Sequence, residues 1–142
     1  MQERFCGGFG QAYLDSPQGR TSLAVRNTIS LNEAVLFSTY PEIGTTAEQQ
    51  AFQILAAQVR LTRYGLDCYA YGLLAAGHID LVVEAGLKPY DIQAPIAVIQ
   101  AAGGIVSSWT GGPAHEGGRV LAAATPELHA AALSFLSDIG TE

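Results

Sequence analysis

The chain has 142 residues, of which 49% are hydrophobic and 14% charged, and its formal net charge at pH 7 is −6. This length suits one domain with a sizeable core, and the composition is too apolar for intrinsic disorder. The 13 acidic and 7 basic residues, with a single lysine, exclude the clustered Lys and Arg of a nucleic-acid surface. No apolar run reaches the ~18 residues of a membrane span.

The cysteines and the first residues bear on the compartment. Cys6 and Cys68 lack the paired spacing of a zinc site or a disulfide framework. Residues 1–4 carry neither a basic segment nor an apolar core, so we expect no signal peptide. The sequence therefore predicts a soluble globular protein of the cytoplasm, with neither nucleic acid nor membrane as a partner.

The first twenty residues are rich in glycine. Gly7, Gly8 and Gly10 surround Phe9, and an extended run then leads into a Pro/Gly turn at residues 17–19. This pattern predicts a β-hairpin. A phosphate-binding glycine loop is the alternative, but no G-x-G-x-x-G precedes a helix here and no Gly-Lys-Ser/Thr follows.

Strand and helix patterns alternate from residue 34 onward. Thr45 and Glu48 have the spacing of a capping box, and Gly77 and Gly103 stand where two apolar helices should end. The alternation, with strands that are almost continuously apolar, predicts an α/β fold in which a layered sheet has helices on both faces. Strands are predicted at 34–38, 59–62, 79–83, 105–106 and 119–122, and helices from 45 onward, at 68–76, at 92–102 and at 126–136.

Three carboxylates interrupt apolar segments. Asp67 precedes a helix, which predicts an N-cap. Glu84 ends a predicted strand, where ligands bind in open α/β sheets, although a solvated strand end explains it equally well. Asp91 stands at a helix start, as an N-cap or as a hard oxygen ligand for Mg²⁺, and one Asp cannot make a metal site alone.

The histidines carry less information. None of His78, His115 and His129 is spaced with another His or Cys in the way that metal ligands are. Surface or capping roles are therefore expected for all three.

Several motifs together resemble the C-terminal half of the inositol monophosphatase superfamily. An aromatic residue followed by Asp opens a helix at Tyr90-Asp91, and a Gly-Gly strand follows at Gly103-Gly104. The form of the sequence resembles the histidinol-phosphatase branch, since true inositol phosphatases carry Trp before the Asp. The segments that carry the resemblance are ERFCGGFGQAYL (3–14), GLDCYAYGLLAAG (65–77), IDLVVE (79–84), KPYD (88–91), AAGGIV (101–106), WTGG (109–112) and RVLAAATPELHAAAL (119–133).

This resemblance implies an inositol-monophosphatase-like fold and a Mg²⁺-dependent phosphatase that acts on a small phosphate ester. Asp91 matches the family's C-terminal metal ligand, and Glu84 matches the carboxylate that contacts the non-phosphate part of the substrate. Gly65, Leu66 and Asp67 match the substrate-facing loop. Because a carboxylate at 67 suits a cationic amino alcohol, the expected substrate is L-histidinol phosphate, in histidine biosynthesis.

The remaining metal ligands of the family are missing from the sequence. They come from an upstream Glu and an Asp-Pro-x-Asp-Gly-Thr segment, and Asp15-Ser16-Pro17 is not that motif. Residues 1–142 are therefore expected to be a single C-terminal α/β portion of a phosphatase whose N-terminal half is absent, with no complete catalytic set. Two alternatives stay open: a phosphatase for inositol 1-phosphate or a related ester, and a non-catalytic truncated module that forms a homodimer through an exposed sheet edge.

Overall fold

The computed structural model describes residues 2–139. Eight strands and four α-helices follow one another, with a short 3-10 helix, Leu31–Glu33, before the fourth strand. The strands are β1 (Arg4–Gly8), β2 (Gln11–Ser16), β3 (Gly19–Ser22), β4 (Val35–Ser38), β5 (Leu61–Tyr64), β6 (Leu81–Leu87), β7 (Ile105–Ser108) and β8 (Gly118–Ala123). The helices are α1 (Thr46–Ala56), α2 (Tyr69–Ala75), α3 (Pro89–Ala101) and α4 (Pro126–Leu136).

The centre of the fold is a five-stranded sheet with the order β5-β4-β6-β8-β7. Strand β4 runs parallel to β5 and β6, whereas β8 is antiparallel to β6 and β7. Alternate residues of β6 face opposite sides: Leu81 and Val83 pack with α1 and α4, and Val82 packs with α2 and α3. The predicted α/β sheet with helices on both faces is confirmed.

A second, smaller sheet packs on α3. Its antiparallel strands have the order β1-β2-β3, so the predicted hairpin is present and β1 adds a third strand in front of it. Gly7 permits the close approach of β1 to the helix, because a Cβ atom at this position would lie 2.4 Å from the Cα atom of Val98. The molecule therefore has four layers: small sheet, α2 with α3, large sheet, and α1 with α4.

The predicted capping box opens α1. The backbone amide of Thr45 donates to Oε2 of Glu48 at 2.6 Å, and the amide of Glu48 donates to Oγ1 of Thr45 at 3.3 Å. Arg119 of β8 donates through Nε to Oε1 of Glu48 at 2.5 Å. Burial alone would raise the pKa of Glu48, but the hydrogen bonds from Arg119 and Thr45 lower it. One carboxylate thus joins the start of α1 to the large sheet.

Several predicted boundaries differ from the structure. Strand β5 lies two residues later than predicted, and α3 begins at Pro89, where the missing amide hydrogen of proline costs nothing. Strand β6 continues to Leu87, because Leu87 pairs with Gly118 beyond an irregularity in the ladder. Within residues 2–139, none of the helices is long and apolar enough to cross a membrane.

Candidate active site

Three carboxylates from separate segments line one cleft of about 420 Å³. Asp67 comes from the loop before α2, Glu84 from β6, and Asp91 from the first turn of α3. The structure therefore brings together the three carboxylates that the sequence singled out. The remaining lining residues are Thr39, Tyr40, Cys68, Tyr71, Ala85, Gly86 and Leu87.

The loop that carries Asp67 has an unusual backbone. Gly65, Leu66 and Asp67 all have positive φ angles, of 101°, 74° and 45°. The amide of Gly65 donates to the carbonyl oxygens of Ser38 and Thr39, at 3.0 and 2.9 Å, which holds the loop against the end of β4. Gly65 and Leu66 do not line the cleft. They belong to the loop that positions Asp67 beside it.

The prediction that Asp67 caps α2 is wrong. Cys68 occupies the N-cap position, and no side-chain hydrogen bond caps the helix. An N-cap residue normally has an extended backbone, whereas Asp67 is left-handed. Asp67 contributes its backbone carbonyl, which accepts from the amide of Ala70 at 3.2 Å, while its carboxylate lines the cleft.

Glu84 is a buried carboxylate rather than a solvated strand end. The residue is 5% exposed, and Oγ1 of Thr39 donates to its Oε1 at 2.7 Å. Burial raises the pKa of Glu84, the hydrogen bonds from Thr39 oppose this effect, and the carboxylates of Asp67 and Asp91 add to it. A buried carboxylate with a raised pKa in a cleft is typical of a functional site.

Asp91 is the third residue of α3, so it is not the N-cap. Lys88 holds that position, and its backbone amide donates to Oδ2 of Asp91 at 2.8 Å. This bond uses one carboxylate oxygen and orients the side chain. The other oxygen can coordinate a cation at the cleft.

A metal ion needs more ligands than Asp91. Within residues 2–139, no group of three or more His, Cys, Asp and Glu side chains is arranged to hold one. Mg²⁺ takes near-octahedral oxygen ligation. The described side chains therefore supply one ligand of such a site and do not complete it.

The histidines lie away from the cleft. His78 and His115 are exposed, in line with the sequence expectation. His129 differs, because it is partly buried and its Nε2 lies 2.7 Å from Oγ of Ser107. Burial lowers the pKa of His129, which keeps the imidazole neutral at pH 7.

Thr39 and Tyr71 are among the lining residues of the cleft that sequence reasoning missed. Thr39 follows β4 directly, and nothing in the local sequence marks its contact with Glu84. Tyr71 lies on the apolar face of α2 and resembles an ordinary core residue. It is 3% exposed, yet within the described part of the chain its hydroxyl has no hydrogen-bond partner.

Comparison with known proteins gives the family. The sequence profile of the inositol monophosphatase family matches residues 8–141. The chain belongs to the inositol monophosphatase family. The members of this family are metal-dependent phosphatases. The family resemblance of the sequence is confirmed, whereas the histidinol-phosphatase branch stays a prediction.

Two curated relatives of this inositol monophosphatase family member are longer than the chain. The bifunctional phosphatase IMPL2, chloroplastic, of Arabidopsis thaliana is 38% identical over 111 residues, which are 78% of this chain and 31% of that protein. The putative Nus factor SuhB of Neisseria meningitidis serogroup B is 29% identical over 119 residues, covering 81% of this chain and 46% of that protein. The chain thus spans less than half the length of either. The name of the Arabidopsis thaliana relative places that protein in the chloroplast, so the cytoplasmic location of this chain stays a prediction.

Solved structures agree with the fold. An inositol monophosphatase from Zymomonas mobilis superposes with a TM-score of 0.79 at 33% identity, over 89% of this chain and 53% of that one. SuhB of Mycobacterium tuberculosis gives a TM-score of 0.74 at 23% identity, over 89% of this chain and 50% of that one, which shows the fold alone. The described chain corresponds to part of the fold of these longer proteins.

Proposed function

We propose that this chain forms the substrate-facing part of a Mg²⁺-dependent phosphatase that hydrolyses a small phosphate monoester. The supporting observation is the convergence of Asp67, Glu84 and Asp91 on one cleft of about 420 Å³. The three come from separate segments of the chain: the loop before α2, strand β6 and the first turn of α3. Membership of a family of metal-dependent phosphatases supports the same reaction.

Asp91 is the metal ligand in this proposal. Its carboxylate is oriented by the amide of Lys88 and lines the cleft. A bound Mg²⁺ supplies activation of a water molecule and stabilisation of the leaving oxygen. Because the described residues supply one ligand of this kind, the other ligands come from outside residues 2–139. We therefore propose that the chain is the C-terminal α/β portion of a longer phosphatase.

The substrate that we propose is L-histidinol phosphate. Its alcohol part carries an ammonium group, and two carboxylates, Asp67 and Glu84, line the cleft beside the proposed metal ligand. A charge-assisted hydrogen bond from the ammonium would stabilise the ionised form of the buried Glu84, whose pKa burial raises. Inositol 1-phosphate, the second candidate, offers neutral hydroxyl groups and leaves the charge of these carboxylates unpaired.

A non-catalytic module is the candidate from another class. Strands β1 and β3 each pair only with β2 among the described strands, so that both edges of the small sheet are unpaired there. An unpaired edge can join a second copy into a homodimer. This candidate needs no metal and predicts no phosphate release.

The test measures phosphate release from L-histidinol phosphate and from inositol 1-phosphate, each with and without Mg²⁺. Two proteins are compared: the 142-residue chain, and a hybrid in which residues 2–139 replace the matching half of the Zymomonas mobilis inositol monophosphatase. The two share 33% identity over 89% of this chain. Circular dichroism and thermal unfolding establish that both proteins are folded.

The proposal predicts that the chain alone releases no phosphate. The hybrid should release phosphate only with Mg²⁺, and faster from L-histidinol phosphate than from inositol 1-phosphate. A preference of the hybrid for inositol 1-phosphate would favour the second substrate. Turnover by the chain alone would contradict the incomplete ligand set. A folded but silent hybrid would favour the non-catalytic module.

A further inference from the structure

The hydroxyl group of Tyr71 is buried without a hydrogen bond. The residue is 3% exposed, and within residues 2–139 no partner reaches its oxygen. Leaving a buried hydroxyl unpaired costs about 1–3 kcal/mol. A phenylalanine of nearly the same shape would avoid this cost, so the hydroxyl needs an explanation other than the stability of the chain.

The position of Tyr71 points to a ligand. Its side chain forms part of the wall of the carboxylate cleft, which Asp67, Glu84 and Asp91 also line. Burial raises the pKa of Tyr71 well above its usual value, and the negative charges of Glu84 and Asp91 raise it further. The phenol therefore keeps its proton at neutral pH and is available as a hydrogen-bond donor.

The other polar groups of the cleft indicate which kind of ligand atom would bind the Tyr71 hydroxyl. Asp67, Glu84 and Asp91 are acceptors when ionised, and the hydroxyl of Thr39 already donates to Glu84. A ligand with donors alone would satisfy the carboxylates and leave the Tyr71 hydroxyl without an acceptor. A ligand that also carries an uncharged acceptor atom would satisfy both.

We propose that Tyr71 is a specificity-determining residue that donates a hydrogen bond to an uncharged acceptor on the non-phosphate part of the substrate. The substrate class is then a phosphate ester of an amino alcohol that bears such an acceptor, for example a neutral imidazole nitrogen. The ammonium faces the carboxylates, and the acceptor atom faces Tyr71. This inference rests on the proposed function and adds a residue and a chemical requirement to it.

The test compares two amino alcohols that differ in their ring. L-Histidinol and L-phenylalaninol share the amine and the hydroxyl, but only the imidazole carries an acceptor nitrogen, which is free of a proton at about pH 8. Isothermal titration calorimetry measures the Kd of each for the 142-residue chain and for its Tyr71→Phe and Tyr69→Phe variants. Tyr69 is the matched control, since it lies on the same helix and its hydroxyl already donates to Oε2 of Glu3 at 2.7 Å.

We expect the unsubstituted chain to bind L-histidinol about tenfold more tightly than L-phenylalaninol, the worth of one hydrogen bond. Tyr71→Phe should abolish this preference and leave the melting temperature equal or higher, and Tyr69→Phe should keep the preference. Should Tyr71→Phe fail to fold, Tyr71→Met supplies an apolar side chain of similar reach without a donor.

Two outcomes overturn the inference and are distinguishable. If the unsubstituted chain prefers L-histidinol and Tyr71→Phe keeps that preference, the role of Tyr71 is wrong and the proposed amino-alcohol substrate stands. If the unsubstituted chain binds neither compound, the proposed substrate class fails and the role of Tyr71 fails with it.

Discussion

Thr39 and Glu84 are joined by a hydrogen bond of 2.7 Å from Oγ1 to Oε1, although 45 positions separate them in the sequence. Thr39 follows β4, and Glu84 lies in the neighbouring strand β6. The bond supplies a donor to the carboxylate of a residue that is 5% exposed, and both residues line the cleft.

The burial of Glu84 should make stability depend on pH. Because burial raises the folded-state pKa of Glu84, its contribution to stability is fully present below the unfolded-state pKa and is lost as the pH rises through the folded-state pKa. Glu84→Gln, which cannot ionise, should therefore raise the melting temperature by a few degrees at neutral pH and leave it unchanged in acid. Thermal unfolding at about pH 4 and about pH 8 measures the difference.

The control for this measurement is Glu116→Gln. Glu116 has a side chain that is 82% exposed, so its replacement should change the melting temperature little at either pH. A lower melting temperature of Glu84→Gln at neutral pH would contradict the account of a carboxylate that opposes folding when ionised.

Glu48 should show the opposite dependence. Its pKa is lowered in the fold by the hydrogen bonds from Arg119 and Thr45, against the effect of burial. The stability that it contributes is therefore present above the unfolded-state pKa and lost as the pH falls through the folded-state pKa. Glu48→Gln should lose about 1–2 kcal/mol of unfolding free energy at neutral pH, the worth of a cap and a charged hydrogen bond.

Urea denaturation at neutral pH and in acid measures this loss, again with Glu116→Gln as the control. The difference between Glu48→Gln and the unsubstituted chain should shrink in acid. An equal loss at both values would mean that the pair with Arg119 does not depend on the charge of Glu48.

Asp67 should decide between substrates. Asn tolerates the left-handed backbone that Asp67 adopts at φ 45°, so Asp67→Asn removes the charge and keeps the loop. In the active hybrid, kcat/KM for L-histidinol phosphate should fall about tenfold, whereas that for inositol 1-phosphate should change little. Asp138→Asn, outside the cleft, is the control. An equal fall for both substrates would contradict a contact between Asp67 and the ammonium.

Local signals in the sequence were sufficient for most of the fold. The capping box is formed by Thr45 and Glu48, which are three residues apart, and α1 begins where this spacing predicts. The apolar, Ala- and Leu-rich run that ends at Gly77 likewise predicts α2, and Pro126 predicts the start of α4. Strand β1 carries no local strand signal, since its glycines resemble a turn more than a strand.

The cleft itself was only partly predictable. Glu84 lies at a predicted strand end and Asp91 at a predicted helix start, and ligands often bind at such positions. The sequence pattern could therefore indicate both residues. The left-handed run at Asp67 depends on hydrogen bonds from Gly65 to the end of β4, and Thr39 reaches Glu84 through the pairing of two strands. Such contacts are set by the tertiary fold and leave no local signal.

The central claim, that Asp91 is a metal ligand of a phosphatase, is tested most directly by Asp91→Asn in the hybrid with the Zymomonas mobilis inositol monophosphatase. The side-chain oxygen of Asn can still accept from the amide of Lys88, so the melting temperature should stay the same. Mg²⁺-dependent phosphate release from L-histidinol phosphate should fall by at least about 100-fold. Release at the rate of the unsubstituted hybrid would contradict the claim.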